Sequence, residues 1–96
     1  MIIDFGNKLA QDLIEENGSK EVRRFPAELI RNARKKLNMV HAAVIVDDLR
    51  FPPGNRLEKL KGNLGEFYSI RINDQWRIRF IFKDRNAYKV YVEDYH

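Results

Sequence analysis

The sequence lacks cysteine, which excludes disulfide bonds and thiolate metal sites. Only two histidines, His41 and His96, are present, so we expect no zinc or iron centre and no other cofactor. Long apolar runs are lacking too, because charged residues interrupt every candidate for a membrane span or a signal-peptide core. The sequence therefore predicts a cytoplasmic protein that makes no contact with a membrane.

Glycine and proline are scarce, with 5 and 3 in 96 residues, and no linker rich in Gly or Ser divides the chain. Hydrophobic residues make up 44% and charged residues 33%, a balance typical of a folded globular protein. A chain of this length has room for one core. We therefore expect residues 1–96 to form a single domain.

The net charge of +4 comes from the second half of the chain. Residues 1–48 carry eight basic and eight acidic side chains, whereas residues 49–96 carry ten and six. A local positive field suggests a polyanionic partner such as RNA or DNA, or an acidic protein surface. The alternative is a solvated charged surface that only keeps the protein soluble.

The first half reads as a short edge strand, residues 1–5, followed by two helices. The first helix has Leu9 and Leu13 on its apolar side and stops at Asn17-Gly18. Pro26 suits the first position of the second helix, because its missing N–H has no helical partner there. The apolar stripe of that helix is Leu29, Ile30, Ala33, Leu37, Val40 and Val44. Its opposite face carries Arg31, Arg34, Lys35 and Lys36.

The second half reads as four strands, at residues 56–60, 67–72, 76–82 and 87–92. Alternation assigns one face to the core, with Tyr68, Ile70, Ile72, Trp76, Ile78, Phe80, Phe82, Tyr88, Val90 and Val92. The other face carries Ser69, Arg71, Arg77, Arg79, Lys89 and Tyr91. This sorting requires hairpin loops of odd length, which predicts three-residue loops at residues 73–75 and 84–86.

On that register Arg79 lies opposite Tyr91, Arg77 opposite Glu93, and Arg71 opposite Arg77. Like charges directly opposite each other are destabilising, and bound phosphates would relieve the repulsion between the two arginines. Strand cations that only discourage edge-to-edge pairing are the alternative. We therefore predict a phosphate-binding sheet face that contains Arg71, Arg77, Arg79, Lys89 and Tyr91.

The chain ends on Glu93-Asp94-Tyr95-His96, directly after the last predicted strand. A chain end frays unless something ties it down, and this strand would hold the tail against the sheet. A His that titrates near neutral pH, a Tyr and nearby cations are suited to acid–base cleavage of a phosphodiester. An exposed, inert terminus is the alternative.

Four segments of the second half occur together: LKGN at residues 60–63, FYSI at 67–70, NDQWRIRF at 73–80 and VEDYH at 92–96. Together they closely resemble the HigB toxins, a branch of the RelE/ParE superfamily of bacterial toxin–antitoxin systems. The resemblance is strong from about Leu57 to His96. Before that, only the strand–helix–helix layout is similar.

The resemblance implies an α+β domain, RelE-like and similar to microbial ribonucleases, with two N-terminal helices packed on an antiparallel β-sheet. It implies a ribosome-dependent endoribonuclease that needs no metal and cuts translated messenger RNA by attack of a 2′-hydroxyl on the adjacent phosphate. The implied partners are the ribosome, messenger RNA and a HigA-type helix-turn-helix antitoxin, through which the complex would bind operator DNA.

Carried over position by position, the resemblance implies that the active-site lysine is Lys61 and the central arginine Arg77. The terminal Asp, Tyr and His fall on Asp94, Tyr95 and His96, and His96 is the residue expected to transfer a proton. Two positions depart from the family. A strand arginine common in relatives falls on Asn73, for which Arg71 could substitute, and a His before the Lys-Gly turn is replaced by Glu58, which could be a base or simply solvated.

Two functions of other classes stay open. A non-catalytic module could bind RNA or the ribosome through the same basic face. A ParE-like toxin would act on DNA gyrase, although members of that branch generally lack a His-Tyr ending.

Overall fold

The computed structural model describes residues 1–95, which form three α-helices on one face of a four-stranded antiparallel sheet. The helices are α1 (Lys8–Glu15), α2 (Lys20–Arg24) and α3 (Ile30–Ala42). The strands are β1 (Glu58–Lys59), β2 (Phe67–Arg71), β3 (Trp76–Lys83) and β4 (Asn86–Asp94), and they lie in sequence order. This confirms the predicted α+β fold, with the short α2 added inside the connection between the two expected helices. No helix in the described part of the chain is long and apolar enough to span a membrane.

The core lies between the helices and the inner face of the sheet. Its fully buried side chains include Leu13, Leu37 and Val40 from the helices, and Ile70, Ile78, Phe80, Val90 and Val92 from the strands. Trp76 closes one end of this core with its ring edge-on to Phe25, at 4.8 Å between centroids. The alternation in β2 and β3 therefore placed Ile70, Ile78 and Phe80 in the core correctly, whereas Ser69 and Phe67 are buried on the opposite face of β2.

Helix α1 begins at the cap residue Asn7, whose side chain also joins the helix to β4. Asn7 Oδ1 accepts from the backbone N–H of Ala10 at 3.1 Å, and Nδ2 donates to the Val92 carbonyl at 2.9 Å. At the other end Glu16 takes a left-handed conformation, directly before the predicted stop at Asn17-Gly18. The start of α1 thus fixes the part of β4 that leads into the chain end.

A buried carboxylate, Asp12, holds the junction between α1 and α2. It accepts hydrogen bonds from Lys8 Nζ at 2.9 Å and Asn17 Nδ2 at 3.1 Å. The bond from Lys8, followed by those from Ser19 and Asn17, lowers the pKa of Asp12 to about 2. Asp12 therefore stays charged at any physiological pH and supports the turn between the helices.

Helix α3 differs from its predicted pattern at two positions. Val44 was assigned to the apolar stripe, but the helix ends at Ala42 and Val44 is 52% exposed. Lys36 was assigned to the solvent face, but it is buried and donates to Asn55 Oδ1. Burial lowers the pKa of the Lys36 ammonium. A buried asparagine, which no helical pattern reveals, explains why this lysine points inward.

The hairpin between β2 and β3 has the predicted three-residue loop, residues 73–75, with Arg71 opposite Arg77. Asn73 Oδ1 accepts from the backbone N–H groups of Gln75 and Trp76 at 2.9 and 2.7 Å, which stabilises the turn.

The hairpin between β3 and β4 has a two-residue loop, so the predicted three-residue loop at 84–86 was wrong. Asp84 and Arg85 both have positive φ, as a type I′ turn requires, and Lys83 pairs with Asn86. The register then shifts between Arg79 and Ile81, because Lys89 forms a β-bulge with φ of 50°. The bulge restores the predicted pairs of Arg77 with Glu93 and Arg79 with Tyr91. Before the bulge the faces are exchanged, so Ala87 is buried and Tyr88, predicted to be core, is not.

The first strand predicted in each half is shorter in the structure. Residues 1–5 lie along β4 and form isolated parallel bridges at Ile2 and Phe5. Of residues 56–60, Glu58–Lys59 form the strand β1 and Leu60 donates a backbone hydrogen bond to Phe67 in β2. Arg56 takes a left-handed conformation, which ends the extended chain at the start of this segment.

Candidate active site

A pocket of about 260 Å³ lies on the sheet face that points away from the helices. Its lining consists of Leu60, Leu64, Ser69, Arg77, Arg79, Glu93, Asp94 and Tyr95. The strands supply the polar groups, while the two leucines come from the connection between β1 and β2. One-sided apolar lining with convergent polar groups is typical of a small ligand site.

Arg77 is the less exposed of the two arginines in the pocket lining, with 11% of its side chain exposed. Its Nη1 donates to Glu58 Oε1 at 2.7 Å and to Ser69 Oγ at 3.1 Å. The Tyr95 ring covers the guanidinium, at 4.2 Å from Cζ to the ring centroid. Three contacts thus fix the orientation of this side chain.

Arg79 is held by two rings and a carboxylate. Its Cζ lies 4.4 Å from the Phe67 centroid and 4.0 Å from the Tyr91 centroid. Its Nε donates to Glu93 Oε1 at 2.5 Å. The ring of Tyr91 in turn packs on Gly6, where an added Cβ would overlap the ring atoms.

The register explains these pairs. Glu58, Ser69, Arg79 and Tyr91 form one row across the sheet, and Arg71, Arg77 and Glu93 form the next. Long side chains reach diagonal neighbours, so Arg77 bonds to Ser69 and Glu58 in the other row, and Arg79 bonds to Glu93.

Carboxylates compensate the positive charge that was predicted to call for phosphate. Arg71 pairs with Asp74 in the hairpin loop, Arg77 with Glu58 and Arg79 with Glu93. Repulsion between Arg71 and Arg77 is therefore already relieved inside the protein by Asp74 and Glu58, and phosphate binding by this face stays a prediction.

The last described residues are tied to the first hairpin. Gln75 Nε2 donates to Asp94 Oδ2 at 2.8 Å, and the Tyr95 backbone N–H donates to the Gln75 carbonyl at 2.6 Å. As expected, the end of β4 is held against the sheet as far as Tyr95. His96, the residue expected to transfer a proton, lies outside the described residues.

The predicted site residues fall into two groups. The pocket brings together Arg77, Arg79, Asp94 and Tyr95. Its lining does not include Lys61, Arg71, Lys89 and Tyr91, although Tyr91 supports Arg79. Asn73 stabilises the hairpin loop, so it contributes a turn rather than a cation.

Sequence reasoning missed Ser69, Glu93 and the two leucines as site residues. The signal for Glu93 was available, because the predicted register already placed it opposite Arg77 and diagonal to Arg79. Ser69 was also visible as a single hydroxyl on the arginine face of an apolar strand. Within residues 1–95, no cluster of His, Asp and Glu side chains could hold a metal ion.

The sequence profile of a family described as RelE-like toxin of type II toxin–antitoxin system HigB matches residues 3–96. The chain belongs to this HigB-like toxin family. Membership in a type II toxin–antitoxin family implies an antitoxin partner.

The chain is 37% identical over 93 residues to "Toxin HigB-1" of Vibrio cholerae, an alignment that covers 97% of this chain and 96% of the relative. It is 30% identical to "Endoribonuclease HigB" of Proteus vulgaris over the full length of both chains. An uncharacterized protein of Haemophilus influenzae is 33% identical over 70 residues, which cover 73% of this HigB-like chain and 69% of the relative.

Proposed function

We propose that this protein is the toxin of a HigA-type toxin–antitoxin pair and acts as a ribosome-dependent endoribonuclease on translated messenger RNA. The observation that carries the proposal is the fixed guanidinium of Arg77, which lines a nucleotide-sized pocket beside Asp94 and Tyr95. The name of the Proteus vulgaris relative supports the reaction class. The antitoxin of the pair would carry the helix-turn-helix that binds operator DNA.

The reaction needs three contributions from the protein. A 2′-hydroxyl must lose its proton, the charge that develops on the phosphate oxygens must be stabilised, and the departing 5′-oxygen must gain a proton. Arg77 is the group that would bind the phosphate oxygens, because its planar fork is already oriented. His96, which follows Tyr95 in the chain, would transfer a proton.

Three further residues have supporting roles in this proposal. Tyr95 keeps the Arg77 guanidinium in place through its ring and offers a hydroxyl to the RNA. Asp94, held by Gln75, would orient the chain end. Lys61 is exposed and does not line the pocket, so it would approach the substrate phosphate only when RNA fills the pocket.

Dependence on the ribosome has a physical reason. The pocket is small and open, and few groups of a 96-residue chain can order a flexible RNA strand. A ribosome holds messenger RNA in a fixed geometry, and orientation of this kind can lower a barrier by about 7 to 11 kcal/mol.

The test is cleavage of one messenger by purified protein, with and without programmed ribosomes. We expect cleavage with ribosomes only, and a loss of roughly 10²- to 10⁴-fold in the His96→Gln variant, which lacks the proton-transfer group. His41→Gln is the matched control, since His41 is an exposed histidine that binds the Ile2 backbone N–H. Equal cleavage without ribosomes would indicate a free-standing ribonuclease. Absence of cleavage both with and without ribosomes would contradict the endoribonuclease activity and favour a non-catalytic module that binds RNA or the ribosome.

A further inference from the structure

Arg79 and Glu93 form a rigid donor–acceptor pair in the pocket wall that the phosphate chemistry does not use. The rings of Phe67 and Tyr91 both contact the guanidinium, with their centroids 4.4 and 4.0 Å from Cζ. Its Nε is occupied by Glu93, and only 15% of the Arg79 side chain is exposed. Its terminal N–H groups are the donors left for a ligand, and they lie next to the carboxylate of Glu93 in the pocket lining.

A phosphate is poorly matched to this pair. The charge of Arg79 is compensated by Glu93, and a phosphate placed on Arg79 would lie close to that carboxylate and be repelled by it. Arg77 differs, because its carboxylate partner Glu58 comes from the edge strand β1 and does not line the pocket. The two arginines of the pocket therefore differ in how well they suit a phosphate.

The edge of a nucleobase is a better match to the hydrogen-bonding groups of Arg79 and Glu93. Bases present hydrogen-bond donors and acceptors side by side, which is the complement of an N–H group beside a carboxylate oxygen. The opposite side of the pocket is apolar, with Leu60 half-buried and Leu64 40% exposed, and would contact the flat face of the ring. Single-stranded RNA is read in this way, through unstacked bases and their edges.

We infer that Arg79 and Glu93 form a base-reading subsite, in which the side chains select a nucleobase of the messenger while Arg77 binds the neighbouring phosphate. This reassigns Arg79 from phosphate binding to specificity. The inference rests on the proposed function, since it assumes an RNA substrate in this pocket.

The test maps cleavage sites by sequencing RNA ends after reaction on ribosomes programmed with messengers of randomised codons. Glu93→Gln keeps the shape of the side chain but replaces one acceptor oxygen with an NH₂ donor. We expect the relative rates at sites that differ in one base to change by roughly tenfold, whatever the change in overall rate. Arg79→Lys keeps the charge but loses the planar fork, and a change in preference is expected there too.

Glu28→Gln is the matched control, because Glu28 is an exposed glutamate in the short 3-10 helix before α3 and does not line the pocket. Thermal unfolding of each variant shows whether it folds. The result from either folded variant, Glu93→Gln or Arg79→Lys, decides whether this pair selects the base. An unchanged order of site preference, or an equal drop at all sites, would overturn the inference while leaving the endoribonuclease intact. If the wild-type protein cuts nothing, the proposed function itself fails.

Discussion

The orientation of Arg77 depends on two neighbours that a list of catalytic residues would omit. Ser69 is 1% exposed, and its hydroxyl accepts from Arg77 under the guanidinium. Glu58 Oε1 accepts from Arg77 Nη1 at 2.7 Å. A long side chain loses much rotamer freedom when it is fixed, and in this fold that loss occurs on folding instead of on substrate binding.

We expect Arg77→Ala to lower cleavage on programmed ribosomes by roughly 10²- to 10³-fold, because it removes preorganised donors from the developing charge. Rates are measured with saturating ribosomes, so that weaker binding does not dominate the result. Arg50→Ala is the control, since Arg50 also pairs with a carboxylate, Asp47 at 2.9 Å, but is 60% exposed. A similar loss in both variants would contradict a specific role for Arg77.

At this scale the sequence predicted the outer-face position of two arginines, but neither their partners nor which other cations lie outside the pocket. Arg77 and Arg79 were placed on the outer face by alternation alone, and they do line the pocket. Glu58 was left open as a base or a solvated side chain, and it is an ion-pair partner. Lys36 was assigned to solvent because helical spacing cannot reveal Asn55, which lies 19 residues further along the chain.

Among the elements, the N-terminal segment, residues 1–6, both pairs with β4 and supports a ring that contacts Arg79. Ile3 and Gly6 donate backbone hydrogen bonds to the Ala87 and Val90 carbonyls at 2.8 and 2.7 Å. The same segment brings Gly6 against the ring of Tyr91, which covers Arg79. Only a residue without a side chain leaves room for that ring, so Gly6 indirectly fixes one wall of the pocket.

Gly6→Ala should therefore destabilise the protein by about 1 to 3 kcal/mol, as overpacking does elsewhere. Urea unfolding of wild type and variant measures this difference. Gly18→Ala is the control, since a Cβ added at Gly18 would meet nothing within 4 Å, and we expect a change within about 0.5 kcal/mol. If the two variants unfold at the same urea concentration, the close contact between Gly6 and Tyr91 does not contribute to stability.

The strand pattern was more predictable than the turns. Burial fixed which residues of β3 face the core, and the pairs of Arg77 with Glu93 and Arg79 with Tyr91 followed. The two-residue turn did not follow, because Asp84 and Arg85 lack the Asn-Gly or Asp-Gly signature of a type I′ turn. A non-glycine bulge at Lys89 has no sequence signature either.

Over the whole molecule, the exposed cations that make no ion pair among residues 1–95 lie outside the pocket, in both halves of the chain. The strand arginines are paired with carboxylates, whereas five exposed cations of the helical region make no ion pair among the described residues. They are Lys20, Arg23, Arg24, Arg31 and Lys35. Counterion release on binding RNA depends on charges that the protein has not already neutralised.

Ribosome affinity should therefore fall as salt rises, and the helical cations should account for more of that dependence than the pocket. We expect the Arg31→Ala, Lys35→Ala double variant to reduce the slope of log affinity against log salt by roughly two, and Arg77→Ala by less than one. Sedimentation of protein with ribosomes across a salt series gives both slopes. Binding that ignores salt, or a larger change for Arg77→Ala, would contradict this distribution of charge.

The course of residues 1–5 along β4 also decides how the protein can be labelled. The Met1 ammonium donates to the Arg85 carbonyl at 3.3 Å, and the Met1 carbonyl accepts from Ala87. The amino terminus thus sits at the hairpin tip, while Tyr95 lies about eight residues further along β4, or roughly 25 Å away. A fluorophore or fusion partner joined at Met1 would leave the pocket open, so that imaging or pull-down of the active protein could be done from that end.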